Sequence, residues 1–128
     1  MTFYITDLNG NSISLLMKIL SGEIMEVSKQ DWKLFQEKIC DWQEAYMEKL
    51  NNEYIKLLEG AGKPSEKFWQ LGKRIKKDKT HCGVLIEMRK QNLPFDLVSL
   101  IRDGAIGLED IECFSDDLQE IVRFLIER

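Results

Sequence analysis

The strongest constraint on this fold is one stripe of large apolar residues, too long for a small globule. Trp32, Phe35, Ile39, Trp42, Tyr46, Leu50, Tyr54 and Leu57 recur at three- and four-residue steps. At 100° per residue that spacing lines one side of an α-helix. Ser28 stands just before the stripe, where its hydroxyl can accept from an otherwise unpaired N–H, and Asp31 suits the positive end of the helix dipole. Gly60-Ala61-Gly62 stops it. About 31 residues at 1.5 Å rise give a helix roughly 45 Å long. A compact chain of 128 residues is only about 36 Å across. The helix over 28–60 therefore projects, pairs with a second copy, or bends. Spanning an elongated helical bundle is the expected use. A homodimer seam through Trp32, Phe35, Ile39, Trp42 and Tyr46 is the alternative.

Charge is distributed in blocks. Residues 63–90 hold nine bases and three acids, a formal +6. The preceding 23–60 sum to −4 and the following 93–128 to −6, within a chain of net charge −4. A basic block between acidic ones suits an anionic partner, or it is neutralised by the chain's own flanks.

Within that block, Lys63-Pro64-Ser65-Glu66 reads as a helix start. Proline is tolerated in a first turn, and a carboxylate there favours the dipole. On a helical wheel Phe68, Leu71, Gly72 and Ile75 fall within about 100° of arc. Lys76, Trp69, Lys73, Lys77, Arg74 and Lys67 fill the remainder in that angular order. One face is apolar, the other basic, and Trp69 belongs to the basic one. Gly72 lowers helix propensity by about 1 kcal/mol. Close packing against another helix would be a reason to keep it.

The rest of the chain is read element by element. Asn9-Gly10 is a hairpin-turn signal, and residues 3–6 before it are β-prone. Residues 13–20 satisfy both the helical and the strand period; Leu, Met and Lys favour a helix, with Ser12 as N-cap. Residues 23–27 are expected to extend and pair with 3–6. Thr80-His81-Cys82-Gly83 marks a break, and 84–90 is expected to be helical. Asn92-Leu93-Pro94 begins a helix with Leu97, Val98, Leu100 and Ile101 on its apolar face, and Asp103-Gly104 ends it. Residues 108–113 read as short turns. Ser115 caps a last helix whose core stripe is Leu118, Ile121, Val122 and Leu125. The expected fold is one mainly α domain over 1–128. It comprises a short helix and an optional small β-ribbon in 1–27, the long central helix in 28–60, and a helical body in 64–128.

Chemistry is narrowed by what is missing. The chain has one histidine, and its three cysteines lack short paired spacing, so His81, Cys82 and Cys113 do not resemble a zinc site. Adjacent Cys and His side chains rarely face each other as a nucleophilic pair needs. Glu109, Asp110, Glu112, Asp116 and Asp117 lack the spacing and central glycine of a calcium loop. Gly60-Ala61-Gly62-Lys63 follows a helix rather than a strand, unlike a phosphate-binding loop. No catalytic residue, metal or cofactor is assigned. No apolar run reaches the ~18 residues of a membrane span. The N-terminus lacks a secretory pattern, and an odd cysteine count fits a reducing compartment. The expectation is cytoplasmic, with no membrane partner.

The sequence therefore points to a non-enzymatic interaction or regulatory protein. Its expected contact face is Lys67, Trp69, Lys73, Arg74, Lys76 and Lys77, extended by Arg89 and Lys90. The expected partner is a protein, acidic in character. The alternatives are a small nucleic-acid-binding regulator using the same face, and an acidic inhibitor of a nucleic-acid enzyme working through 109–117.

Overall fold

The computed structural model describes residues 4–6, 12–14 and 26–127. The chain is mainly helical. Strands β1 (Tyr4–Thr6) and β2 (Ser12–Ser14) pair antiparallel with Ile5 opposite Ile13. The described strand opposite β1 is thus Ser12–Ser14; most of the 23–27 segment expected to pair with 3–6 lies outside the described residues. Ser12, the expected N-cap, pairs in this ribbon opposite Thr6. Residues 15–20, the remainder of the expected short helix, lie outside the described residues, as do 23–25.

Helix α1 runs from Lys29 to Glu59, 31 residues, or about 46 Å. The Ser28 hydroxyl accepts from the Asp31 N–H at 3.1 Å. The helix gives way at Gly60, and Gly62 takes a positive φ of 132° to reverse the chain. Helix α2, Pro64–Asp78, follows, with Glu66 accepting from the Lys63 N–H at 3.5 Å. Turns carry the chain from Lys79 to Val84, and residues 85–89 are irregular, so the helix expected over 84–90 does not form. Their side chains explain why. Ile86 packs against the core while Leu85 stays 72% exposed, an alternation that suits extended backbone rather than a helical face. A short 3₁₀ turn over Lys90–Asn92 leads into α3, Leu93–Arg102, which stops where Gly104 adopts φ 80°. A second 3₁₀ turn, Leu108–Ile111, precedes α4, Asp116–Ile126, capped by Ser115.

The length problem posed by α1 is solved by dividing the helix between two jobs. Its first half enters the core through Phe35 and Ile39, which meet Leu93, Leu97, Val98 and Leu100 of α3 and Leu118 and Val122 of α4. Trp32 and Trp42 pack against that cluster from its edge. Phe35 stacks on Trp32 at 5.9 Å and meets Trp42 edge-on at 6.2 Å, and Trp42 reaches Phe114 at 6.4 Å. The residues expected as a dimer seam are therefore used inside the chain. Phe35, Ile39 and Tyr46 are buried, and Trp32 and Trp42 are partly so. Beyond Leu50, α1 pairs with α2 as an antiparallel helical hairpin.

Candidate interaction surface on α2

The orientation of α2 is set by polar contacts along α1. Tyr54 donates from its hydroxyl to Asp78 Oδ2 at 2.5 Å. Asp78 is 4% exposed, and Arg74 lies 3.6 Å from it and 3.8 Å from Glu53. The Arg74 guanidinium also sits 5.7 Å above the Tyr54 ring, within cation–π range. Burial, then the bond to Asp78 and its negative charge, push the Tyr54 phenol up to about 12. One turn later His81 Nδ1 meets the Tyr46 hydroxyl at 2.8 Å, and its Nε2 lies 4.0 Å from Asp103. Burial, aided by Asp103, raises the Tyr46 phenol as well. Gln43 donates to the Cys82 carbonyl at 3.0 Å and fastens the same turn to α1.

These contacts turn Arg74 and Asp78 toward α1, and that rotation leaves part of the apolar face outside. Leu71 is half-buried, but Ile75 is 39% exposed and Phe68 66% exposed. A methyl group added to Gly72 would meet nothing within 4 Å, so among the described residues no helix uses the glycine for close approach. Phe68 and Trp69 touch edge to face with centroids 5.1 Å apart, and Trp69 is 67% exposed.

The expected basic face divides accordingly. Lys73, Lys76 and Lys77 are exposed beside Trp69, while Lys67 is half-buried. Among the described residues none of these four lysines has a carboxylate within 4 Å, whereas Arg74 is engaged with Glu53 and Asp78 and Arg89 with Glu87 at 2.6 Å. Arg74 therefore belongs to the hairpin interface more than to the outer face.

Several of the other chemical candidates take part in structural contacts. His81 is part of the hairpin, and Cys113 donates to the Asp110 carbonyl at 3.5 Å. Burial first, then Asp96 and Asp103, push the Cys82 thiol up, away from the reactive thiolate. Asp110 accepts from the Gly107 N–H at 2.8 Å, a local turn contact. Among the described residues no group of three or more histidines, cysteines and carboxylates is arranged to hold a metal ion. Among the described residues no helix is long and apolar enough to cross a membrane.

Phe68 is the residue whose part sequence reasoning misjudged, because the wheel places it at the centre of a core face. One signal was present. After Leu50 the α1 stripe thins to Tyr54 and Leu57, too little apolar surface to cover all of α2. The chain matches no family model, and no curated protein or solved structure is significantly similar to it.

Proposed function

We propose that this chain is a non-enzymatic cytoplasmic interaction protein that binds an acidic protein partner through the outer face of α2. In this reading the chain is an elongated helical bundle, and the distal half of α1 carries α2 away from the body as a presenting arm. Phe68, Trp69 and Ile75 supply apolar contact, and Lys73, Lys76 and Lys77 supply charge selection. The observation that carries the reading is the juxtaposition of two aromatics, each about two-thirds exposed, with lysines that have no carboxylate partner among the described residues.

Magnitudes favour this division of labour. Each aromatic can bury some 150–250 Å². Covering the exposed part of both at about 25 cal/mol per Å² contributes on the order of 5 kcal/mol. Exposed ion pairs contribute about 0–1 kcal/mol each, so the lysines act mainly on association rate and partner choice. Nucleic acid would occupy the lysines and could stack on Trp69, but it would leave Phe68 and Ile75 without an apolar counterpart.

The test is site-specific crosslinking in cells, with the photoreactive residue benzoylphenylalanine replacing Trp69. Light-dependent adducts that are proteinaceous and resist nuclease are expected. Nuclease-sensitive adducts would transfer the reading to nucleic acid. Absence of any adduct at this position, with adducts formed from a control position on α4, would contradict it.

A further inference from the structure

The exposed face of α2 does not end at the helix. It continues into an open groove between the two arms of the hairpin, lined by Met47, Asn51 and Tyr54 from α1, Ile75 from α2, Lys79 at its C-terminal end, and Val84. By helical spacing, Met47, Asn51, Tyr54 and the 45% exposed Leu58 stand in one row along α1. Phe68, Gly72 and Ile75 stand in a facing row along α2.

We infer that this groove seats an acidic amphipathic helix of a partner protein, laid lengthwise between the two rows. The inference rests on the reading of α2 as the contact face and specifies what is bound there. Three observations select this occupant. The groove is mostly apolar, with Met47 and Tyr54 on one wall and Ile75 and Val84 on the other, which suits anchors at i, i+3 or i+4, and i+7 of a docked helix. Gly72, one turn from Phe68, has open space beside it that no described residue enters, and a glycine there lets a second helix backbone come close. The outer rim of the α2 wall is basic, with Lys76 and Lys79 exposed and without a carboxylate partner among the described residues. The one acid in the groove lining, Asp78, is buried and held by Tyr54 and Arg74. A second copy docking α2 against α2 would set these lysines against one another, and like charges at close quarters oppose that arrangement.

The experiment uses the full chain, immobilised, and a random 16-residue peptide library displayed on phage. The expected winners are net negative, helical when bound, and carry apolar residues at helical spacing. Their affinity should fall at least tenfold with Phe68→Ser and with Gly72→Leu, both at exposed positions where the fold itself is undisturbed. Lys76→Glu should weaken them, and a lysine substituted for one peptide acid should restore binding to that variant. Winners that are neutral or basic, affinities unchanged by Phe68→Ser and Gly72→Leu, or no enrichment at all would each overturn the inference. Protein crosslinks from position 69 together with any of these failures would leave the contact face standing and remove the acidic helix. Loss of the crosslinks as well would remove both.

Discussion

Asp31 accepts two hydrogen bonds from Ser115, one from its backbone N–H at 2.9 Å and one from its hydroxyl at 2.5 Å. The same Ser115 hydroxyl accepts from the Leu118 N–H at 3.3 Å and so caps α4. Asp31 is 5% exposed and lies in the first turn of α1. One carboxylate thereby ties together the positive ends of two helices whose contacting residues are 84 positions apart in sequence. Hydrogen bonds to an ionised acceptor are the strong kind. Asp31→Ala is expected to destabilise the fold by about 2–4 kcal/mol, read by urea unfolding. A double-mutant cycle with Ser115→Ala should give a coupling energy well above 0.5 kcal/mol. Additive effects would mean that the two residues act separately.

Gly83 is buried, and a Cβ placed on it would stand 2.3 Å from Cδ2 of the Tyr46 ring. Backbone and ring cannot both keep their places, so Gly83→Ala should displace Tyr46 and loosen its bond to His81. A loss of about 2–3 kcal/mol is expected, with the thermal midpoint falling accordingly. Unchanged stability would show that the turn over 79–84 yields easily.

Gly72 should behave in the opposite way. It lies in helical backbone with open space beside it, so Gly72→Ala gains helix propensity and meets no obstacle. The variant is expected to be more stable by about 0.5–1 kcal/mol, measured by chemical unfolding. A destabilised variant would place a neighbour against Gly72 that the fold described above lacks.

Asp96 is the group expected to link stability to mildly acidic pH. Burial pushes its carboxyl up to about 6 from an ordinary 3.8, and its Oδ2 is buried without a hydrogen-bond partner among the described residues. Because the folded state binds this proton more tightly than the unfolded chain, its contribution is fully present below about pH 4. It is lost as pH rises to about 6. Asp96→Asn removes the charge and should stabilise the protein at pH 8 by on the order of 1 kcal/mol. Its advantage over the parent should shrink as pH falls from about 6 to 4. A pH-independent difference would contradict this.

These expectations differ in how far the sequence alone could have reached them. Ser28, Pro64 and Ser115 announce their helix starts because capping and first-turn preferences are local, and the α1 stripe is legible because its period holds over many turns. The helix expected over 84–90 does not form, because the alternation of core contact and exposure there is set only by the assembled body. The Asp31–Ser115 and Tyr46–Gly83 contacts join distant segments and leave no periodic trace. At the candidate site, the wheel placed Trp69 among the lysines correctly but could not say which way the helix is turned. That rotation is fixed by Arg74 and Asp78 reaching Glu53 and Tyr54, and it leaves Phe68 outside. The stripe from Trp32 to Tyr46 leaves a homodimer seam open as an alternative on sequence alone, because only the folded body shows α3 and α4 packed against it.

The central claim, that the outer face of α2 meets an acidic protein partner, is tested most directly by charge reversal read at the contact itself. Crosslinking yield from benzoylphenylalanine at position 69 would be compared in the parent background and in Lys73→Glu/Lys76→Glu/Lys77→Glu. All three lysines are exposed and make no ion pair within 4 Å among the described residues, so the triple variant should unfold at nearly the parent temperature. The account predicts that the protein adduct is lost while that midpoint is kept. An adduct of undiminished yield in the triple variant would contradict it.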